Sequence, residues 1–335
     1  MRAGRCQECL TVLAEGDSWF QFPTLWVGKV KVRDVVKDII DHLMGRQDLC
    51  VKSIAAGGDW LSNMLHSREY LPELSTIEPD VFLFSGGGND MLGGGRAGNM
   101  VVHRRRVLES LAEDPPRERL FALRSQQLGG AAHFHPQRYE HGLKVLAKEF
   151  FAFGDLLLVQ YLLFLFNLRL AGRFSEMAIV TQGYDFVLPT RKSTAPWYSL
   201  RRWVNLFIGS GNWLWVPFEQ KKLTDDQKRD AVYAMVTEFN QLLLSIVGSG
   251  HFDPIFHIDS RGLARPEDWY DEIHLMSGSF KKVASLYVLA FQKYVRGLET
   301  TWRSYSAEDL DEARDAWDAS LSRWSGRRDE GGRAD

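Results

Sequence analysis

At 335 residues the chain is long enough for one large α/β domain, or two smaller ones, with a sizeable core. Apolar residues at 45 % and charged residues at 25 % are ordinary for a globular protein and argue against a disordered or fibrous chain. A formal charge of −2 gives no electrostatic reason to expect a nucleic-acid partner, while 11 Trp and 20 Phe must fill a large core or line apolar sites.

The segment Met1–Leu10 is polar and lacks the apolar stretch of a secretory signal. Cys6, Cys9 and Cys50 do not make a disulfide framework, and Cys6-Gln-Glu-Cys9 has no second CxxC, so the three read as free thiols. A reduced, cytoplasmic protein is the expectation.

In chain order, Leu10–Ala14 predicts a strand running into the turn Glu15-Gly16-Asp17-Ser18. Val35, Val36, Ile39, Ile40 and Leu43 stand at helical spacing and predict a helix over Val32–Met44. A second strand, Cys50–Ile54, ends in Ala56-Gly57-Gly58-Asp59, with a helix from Trp60. The wholly apolar run Val81–Phe84 predicts a buried parallel strand, ending in Ser85-Gly86-Gly87-Gly88-Asn89-Asp90.

From Met91 the chain makes a long excursion, read as a helical insertion over 91–175 that could act as a lid. Within it, Phe150–Leu170 approaches the length of a membrane span. Asp155, Gln160, Asn167 and Arg169 interrupt it, leaving uninterrupted apolar runs well short of the ~20 residues a span needs. It reads as a buried helix, with a mobile lid or a helix lying on a membrane surface as alternatives.

Met177–Thr181 predicts a fourth strand, followed by Gly183-Tyr184-Asp185. Asp225–Val247 predicts a long amphipathic helix capped by Thr224, Ile255–Ile258 a fifth strand and Phe280–Val295 a closing helix. Residues 1–300 read as one domain, 301–325 as a C-terminal helix and 326–335 as a disordered tail. Strands alternating with helices predict an α/β fold with an approximately five-stranded parallel sheet covered on both faces. Loops leaving the carboxyl ends of such strands meet along one edge, so the three glycine-rich turns are expected close together.

Those turns carry the parts of a serine-based acyl-transfer site: an exposed hydroxyl, a base, an orienter for the base, and donors for an oxyanion. Ser18 lies past a strand in a glycine-led turn. Gly58 could aim a backbone N–H into the site, and the Asn89 side chain can donate to an oxyanion. Asp271-Glu272-Ile273-His274 places a carboxylate three residues before an imidazole, which it could orient. Singly, each is also an ordinary turn or cap; it is their order at successive strand ends that carries weight. The glycine run lacks the Lys-Ser/Thr ending of a P-loop. His133, His135 and His141 have no Cys or carboxylate set at ligand spacing, so no metal or cofactor is expected. Arg104-Arg105-Arg106 reads as a solvated face, with contact to acidic headgroups the alternative.

The chain resembles the SGNH/GDSL hydrolase family, through Gly16-Asp17-Ser18, Gly58, Gly87-Gly88-Asn89-Asp90 and Asp271 with His274, in the family's block order over residues 10 to about 295. It is most similar to a bacterial subgroup with GDSWF and an early proline (here Pro23), FSGGGND, and GYD before a later proline (here Pro189). The resemblance implies a flavodoxin-like three-layer sandwich and a metal-free esterase, lipase or acyltransferase acting on a small-molecule or lipid ester. Ser18 would be the nucleophile and His274 the base oriented by Asp271. The backbone N–H groups of Ser18 and Gly58 and the Asn89 amide would form the oxyanion hole, with Asp17, Trp19 and Asp90 around the substrate pocket. Trp19 replaces the family's leucine and is expected to narrow the acyl pocket. Leu275-Met276 stands where the subgroup has proline, and Asp268 and Glu272 are alternatives to Asp271 as orienter. The alternative reading is a non-catalytic binding protein on the same scaffold.

Overall fold

A computed structural model of the chain describes residues 9–22, 26–27, 30–31, 36–170, 172, 174–190 and 213–319. Pro23, Cys6, residues 32–35 of the first predicted helix and the predicted tail at 326–335 lie outside the described residues.

The strands are β1 (Leu10–Gly16), β2 (Trp26–Val27), β3 (Val30–Lys31), β4 (Leu49–Ser53), β5 (Val81–Ser85), β6 (Ala178–Gln182), β7 (Ile255–Ile258) and β8 (Arg303–Tyr305). β2 and β3 pair with each other, while the remaining six form one parallel sheet in the order β4-β1-β5-β6-β7-β8. Among the described residues the sheet thus has six strands rather than five. Its extra edge strand lies inside the segment expected to be helical from 301. Three residues, Arg-Ser-Tyr, show no periodicity of their own; pairing Phe256 with Arg303 and Ile258 with Tyr305 makes them a strand.

The helices are α1 (Ile39–Met44), α2 (Leu61–Ser67), α3 (Tyr70–Ile77), α4 (Gly88–Leu92), α5 (Pro115–Leu128), α6 (Pro136–Val145), α7 (Lys148–Leu170), α8 (Trp215–Gln220), α9 (Asp225–Val247), α10 (Ser277–Val295) and α11 (Leu310–Asp318). α1 starts at Ile39, later than its apolar spacing predicts, because Asp38 and Asp41 form a reciprocal capping box there. Thr224 and Gln227 do the same for α9, at the predicted boundary. α1, α10 and α11 pack together on one face of the sheet, and α2, α7 and α9 on the other, giving a three-layer α/β sandwich. The central strands β5 and β6 are buried along their whole length, as strands covered on both faces must be.

α7 is the crossover helix between β5 and β6. By length and composition it could cross a membrane, yet its inner face packs on the sheet. Phe164 stacks on Phe84 with ring centroids 4.0 Å apart, and the Tyr161 hydroxyl donates to the Gly86 carbonyl at 2.6 Å. Its outer face is different: Leu156, Val159, Leu163 and Phe166 are 43–57 % exposed and form one apolar stripe.

Cys9 and Cys50 form a disulfide, Cα to Cα 5.7 Å, which corrects the free-thiol expectation. The parallel register that sets Thr11 beside Cys50 brings Cys9 alongside it, 41 residues away in sequence. A pairing set by strand register leaves no trace in cysteine spacing.

Candidate active site

β1 lies between β4 and β5, so the turns after these three strands are neighbours at the carboxyl edge of the sheet. Backbone bonds stitch them together: Asp17 N–H donates to the Ser85 carbonyl at 3.1 Å, and Ala56 N–H to the Gly16 carbonyl at 2.9 Å. Gly16 has no space for a side chain, since a Cβ there would stand 2.8 Å from the Phe20 ring and 2.9 Å from Ser85. Gly58 is glycine for another reason: nothing crowds it, but its φ of 86° lies in the left-handed region.

His274 reaches this edge from the loop before α10. Its Nε2 lies 2.8 Å from Ser18 Oγ, and its Nδ1 lies 2.8 Å from Asp271 Oδ2. Because the carboxylate accepts from Nδ1–H, Nε2 is left unprotonated and the Ser18 hydroxyl donates to it. Asp271 Oδ1 also accepts from the backbone N–H groups of Ile273 and His274, at 2.9 and 2.8 Å. Burial alone would raise the Asp271 pKa. The His274 charge and these donors outweigh it and hold the carboxyl below its ordinary value. Ser18 and His274 are 5 % and 4 % exposed, so the pair works in a largely desolvated setting. The Phe22 ring meets His274 edge-on, with ring centroids 5.0 Å apart.

The alternative orienters are engaged elsewhere. The Glu272 carboxylate accepts from the N–H groups of Trp213, Leu214 and Trp215, at 3.0, 3.2 and 2.7 Å, at the start of α8. Asp268 accepts from Arg265 N–H at 3.0 Å and faces Lys282 at 3.4 Å.

Asn89, buried on the first turn of α4, donates from Nδ2 to the Asp59 carbonyl at 3.0 Å. That bond ties the turn after β5 to the turn after β4, where Gly58 sits. Asp90 is engaged by α2: its Oδ2 accepts from Leu61 N–H at 2.7 Å, where that helix begins. Burial raises its pKa, and the N–H groups of Leu61 and Ser62 oppose the shift.

Trp19 is buried in the core. The side chain is 2 % exposed, its ring packed edge-on against Tyr184 and Phe280, and its Nε1–H donates to the Ile273 carbonyl at 3.1 Å. It braces the Ser18 turn against the histidine loop. Asp17 is also buried, accepting from Trp19 N–H at 3.1 Å and Ser85 Oγ at 3.2 Å, and from the Tyr184 hydroxyl. Nothing in the sequence assigns a role to Tyr184 or Ser85, although Gly183-Tyr184-Asp185 stands out there as a motif. Asp185 in the same motif accepts from Gly262 and Ala264 N–H at 2.7 and 2.6 Å, holding the loop after β7.

No protein-family pattern and no curated protein matches the chain. Solved structures similar to it include an extracellular lipase from Streptomyces rimosus, at 12 % identity and TM-score 0.40, covering 84 % of this chain and 99 % of that one. An alpha/beta hydrolase enzyme from the metagenome of Lake Arreo, Spain, matches at 11 % identity and TM-score 0.36, covering 84 % and 94 %. A putative GDSL-like lipase from Parabacteroides merdae matches at 10 % identity and TM-score 0.34, covering 84 % and 95 %.

Proposed function

We propose that the protein hydrolyses carboxylic esters through an acyl-enzyme on Ser18. The observation that carries the reading is the unbroken relay Ser18 Oγ–His274 Nε2–His274 Nδ1–Asp271, both contacts 2.8 Å, assembled across 256 residues of sequence. In the first half-reaction Ser18 Oγ attacks the ester carbonyl while His274 Nε2 takes the hydroxyl proton. Asp271 keeps the imidazole in the required tautomer and faces the imidazolium that forms. The tetrahedral oxyanion is held by the N–H groups of Ser18 and Gly58 and by the second Asn89 Nδ2 hydrogen, the first being spent on Asp59. Collapse breaks the bond to the alcohol oxygen, which leaves with the proton from His274. Water then enters, loses a proton to His274, and releases the acid by the same steps reversed.

Acyl chains of lipids are the substrate class favoured, because the outer stripe of α7 offers an apolar face that would meet a lipid surface. The distance between Ser18 and His274 supports an active enzyme over a silent binding protein. Acyl transfer to an acceptor other than water uses the same groups and differs only in what enters second. The test is hydrolysis of p-nitrophenyl esters of two to sixteen acyl carbons by wild type and Ser18→Ala. Turnover lost in the variant is the expected result; full turnover retained would sink the proposal.

A further inference from the structure

Beneath the Ser18 turn lies a closed set of polar groups that the acyl-transfer scheme leaves unused. Asp17, Ser85 and Tyr184 come from three separate strand ends, after β1, at the end of β5 and after β6, and all are buried. The Tyr184 hydroxyl donates to Asp17 Oδ2, Ser85 Oγ donates to Asp17 Oδ1 at 3.2 Å, and the two hydroxyls stand 3.3 Å apart. Asp17 Oδ1 in turn accepts from Trp19 N–H at 3.1 Å, and the Trp19 indole holds the Ile273 carbonyl beside His274. The fold makes room for this arrangement. A Cβ on Gly88 would stand 2.6 Å from the Tyr184 ring, and Asn240 Nδ2 donates to the Tyr184 carbonyl at 2.9 Å.

We propose that Tyr184 is a positioning residue, whose hydroxyl, with that of Ser85, holds the Asp17 carboxylate ionised under the Ser18 turn as a second negative charge facing His274. The inference rests on the Ser18–His274 reading of the site. A carboxylate so placed does two things for that chemistry. It fixes the turn that carries the nucleophile, and it favours the imidazolium that forms when His274 takes the serine proton.

Among the described residues, the titratable groups that act on Asp17 are Tyr184 from the loop after β6, His274 from the loop before α10, Tyr161 from α7 and Tyr287 from α10. Tyr161 and Tyr287 are committed elsewhere, to the Gly86 carbonyl and to Gln182 Oε1, both at 2.6 Å. Burial raises the Asp17 pKa to about 6; the Tyr184 hydroxyl is the strongest opposing contribution, followed by Trp19 N–H, Ser85 and the His274 charge. Removing the hydroxyl therefore moves the carboxyl further up.

Tyr184→Phe removes only that oxygen and keeps the ring against Trp19 and Phe239, at 5.1 and 5.2 Å between centroids. The readout is the rate of Ser18 labelling by an alkyl fluorophosphonate between pH 5.5 and 8.5. In that reaction the Oγ–P bond forms as the P–F bond breaks, fluoride leaves and His274 takes the proton. The quantity compared is the wild-type rate divided by the variant rate at each pH. For Tyr184→Phe the ratio is expected to be about threefold near pH 6 and to fall towards unity by pH 8.5, as Asp17 ionises without its partner. For Asp17→Asn it is expected to rise with pH instead, from about threefold at pH 5.5 to about tenfold at pH 8.5. A wild type labelled at Ser18 but with a Tyr184→Phe ratio that is unity, or the same at every pH, would overturn the positioning role alone. A wild type that takes no label at Ser18 would overturn the reading of the site, and this role with it.

Discussion

Asn89 spends one amide hydrogen on the Asp59 carbonyl, and in the proposed acyl-transfer scheme the other meets the oxyanion. Asn89→Ala is expected to lower kcat by roughly 100- to 1,000-fold with little change in KM, as for loss of one oxyanion donor. A steady-state comparison on a soluble ester checks this. Asp271→Asn leaves the shape of the relay but gives the imidazole no acceptor fixed for Nδ1–H, so a loss of about 10⁴-fold in kcat is expected. Ser18, His274, Asp271 and Asn89 were legible in the sequence because each sits at a strand end or in a short-range spacing. Tyr184 and Trp19 were not, since their roles depend on what packs against them. The Trp19 ring turns inward between Tyr184 and Phe280, and no property of the tripeptide around it fixes that direction.

At the scale of elements, α7 is tied down by aromatic packing on one side and left bare on the other. Phe164 stacks on Phe84 and meets Tyr70 edge-on, so Phe164→Ala should cost about 3–5 kcal/mol, measured by denaturant unfolding. The outer stripe gives the opposite expectation. Leu163→Glu should leave stability and turnover of a soluble ester nearly unchanged while weakening sedimentation with phosphatidylcholine vesicles; unchanged sedimentation would remove the stripe from any lipid contact. Composition alone left this helix between core, lid and interface, because a helix with two differently apolar faces has the same residues as one buried all round. The limits of α9 could be read directly, since Thr224, Gln227 and the apolar spacing are local signals. The edge strand β8 could not, because its pairing with β7 is what makes it a strand.

The whole molecule carries several buried acids whose pKa is raised by burial: Glu15 to about 8, and Asp38, Asp185 and Glu272 each to about 7. The folded chain keeps these protons at a pH where the unfolded chain has released them, so stability falls as pH rises towards the folded values. His257, pushed down to about 4 by burial, acts in the opposite sense, but only below about pH 6.5 where the unfolded imidazole charges. Between pH 6.5 and 8.5 the acids prevail, and the unfolding temperature should drop. Glu15→Gln keeps an acceptor for Gly16 N–H at 3.0 Å and should make that drop smaller, as differential scanning would show. The Cys9–Cys50 bond bears on the compartment, because disulfides persist in oxidising surroundings and are rare in the cytoplasm. Both cysteines should resist a maleimide until the protein is reduced.

The acyl-enzyme is the most direct object to look for. Protein mixed with a p-nitrophenyl ester, quenched in acid within the first turnover and digested, should show the acyl mass on the peptide that contains Ser18. Ser18→Ala should show none and should release no burst of nitrophenol. An acyl group found on another residue, or a burst undiminished in Ser18→Ala, would contradict the central claim.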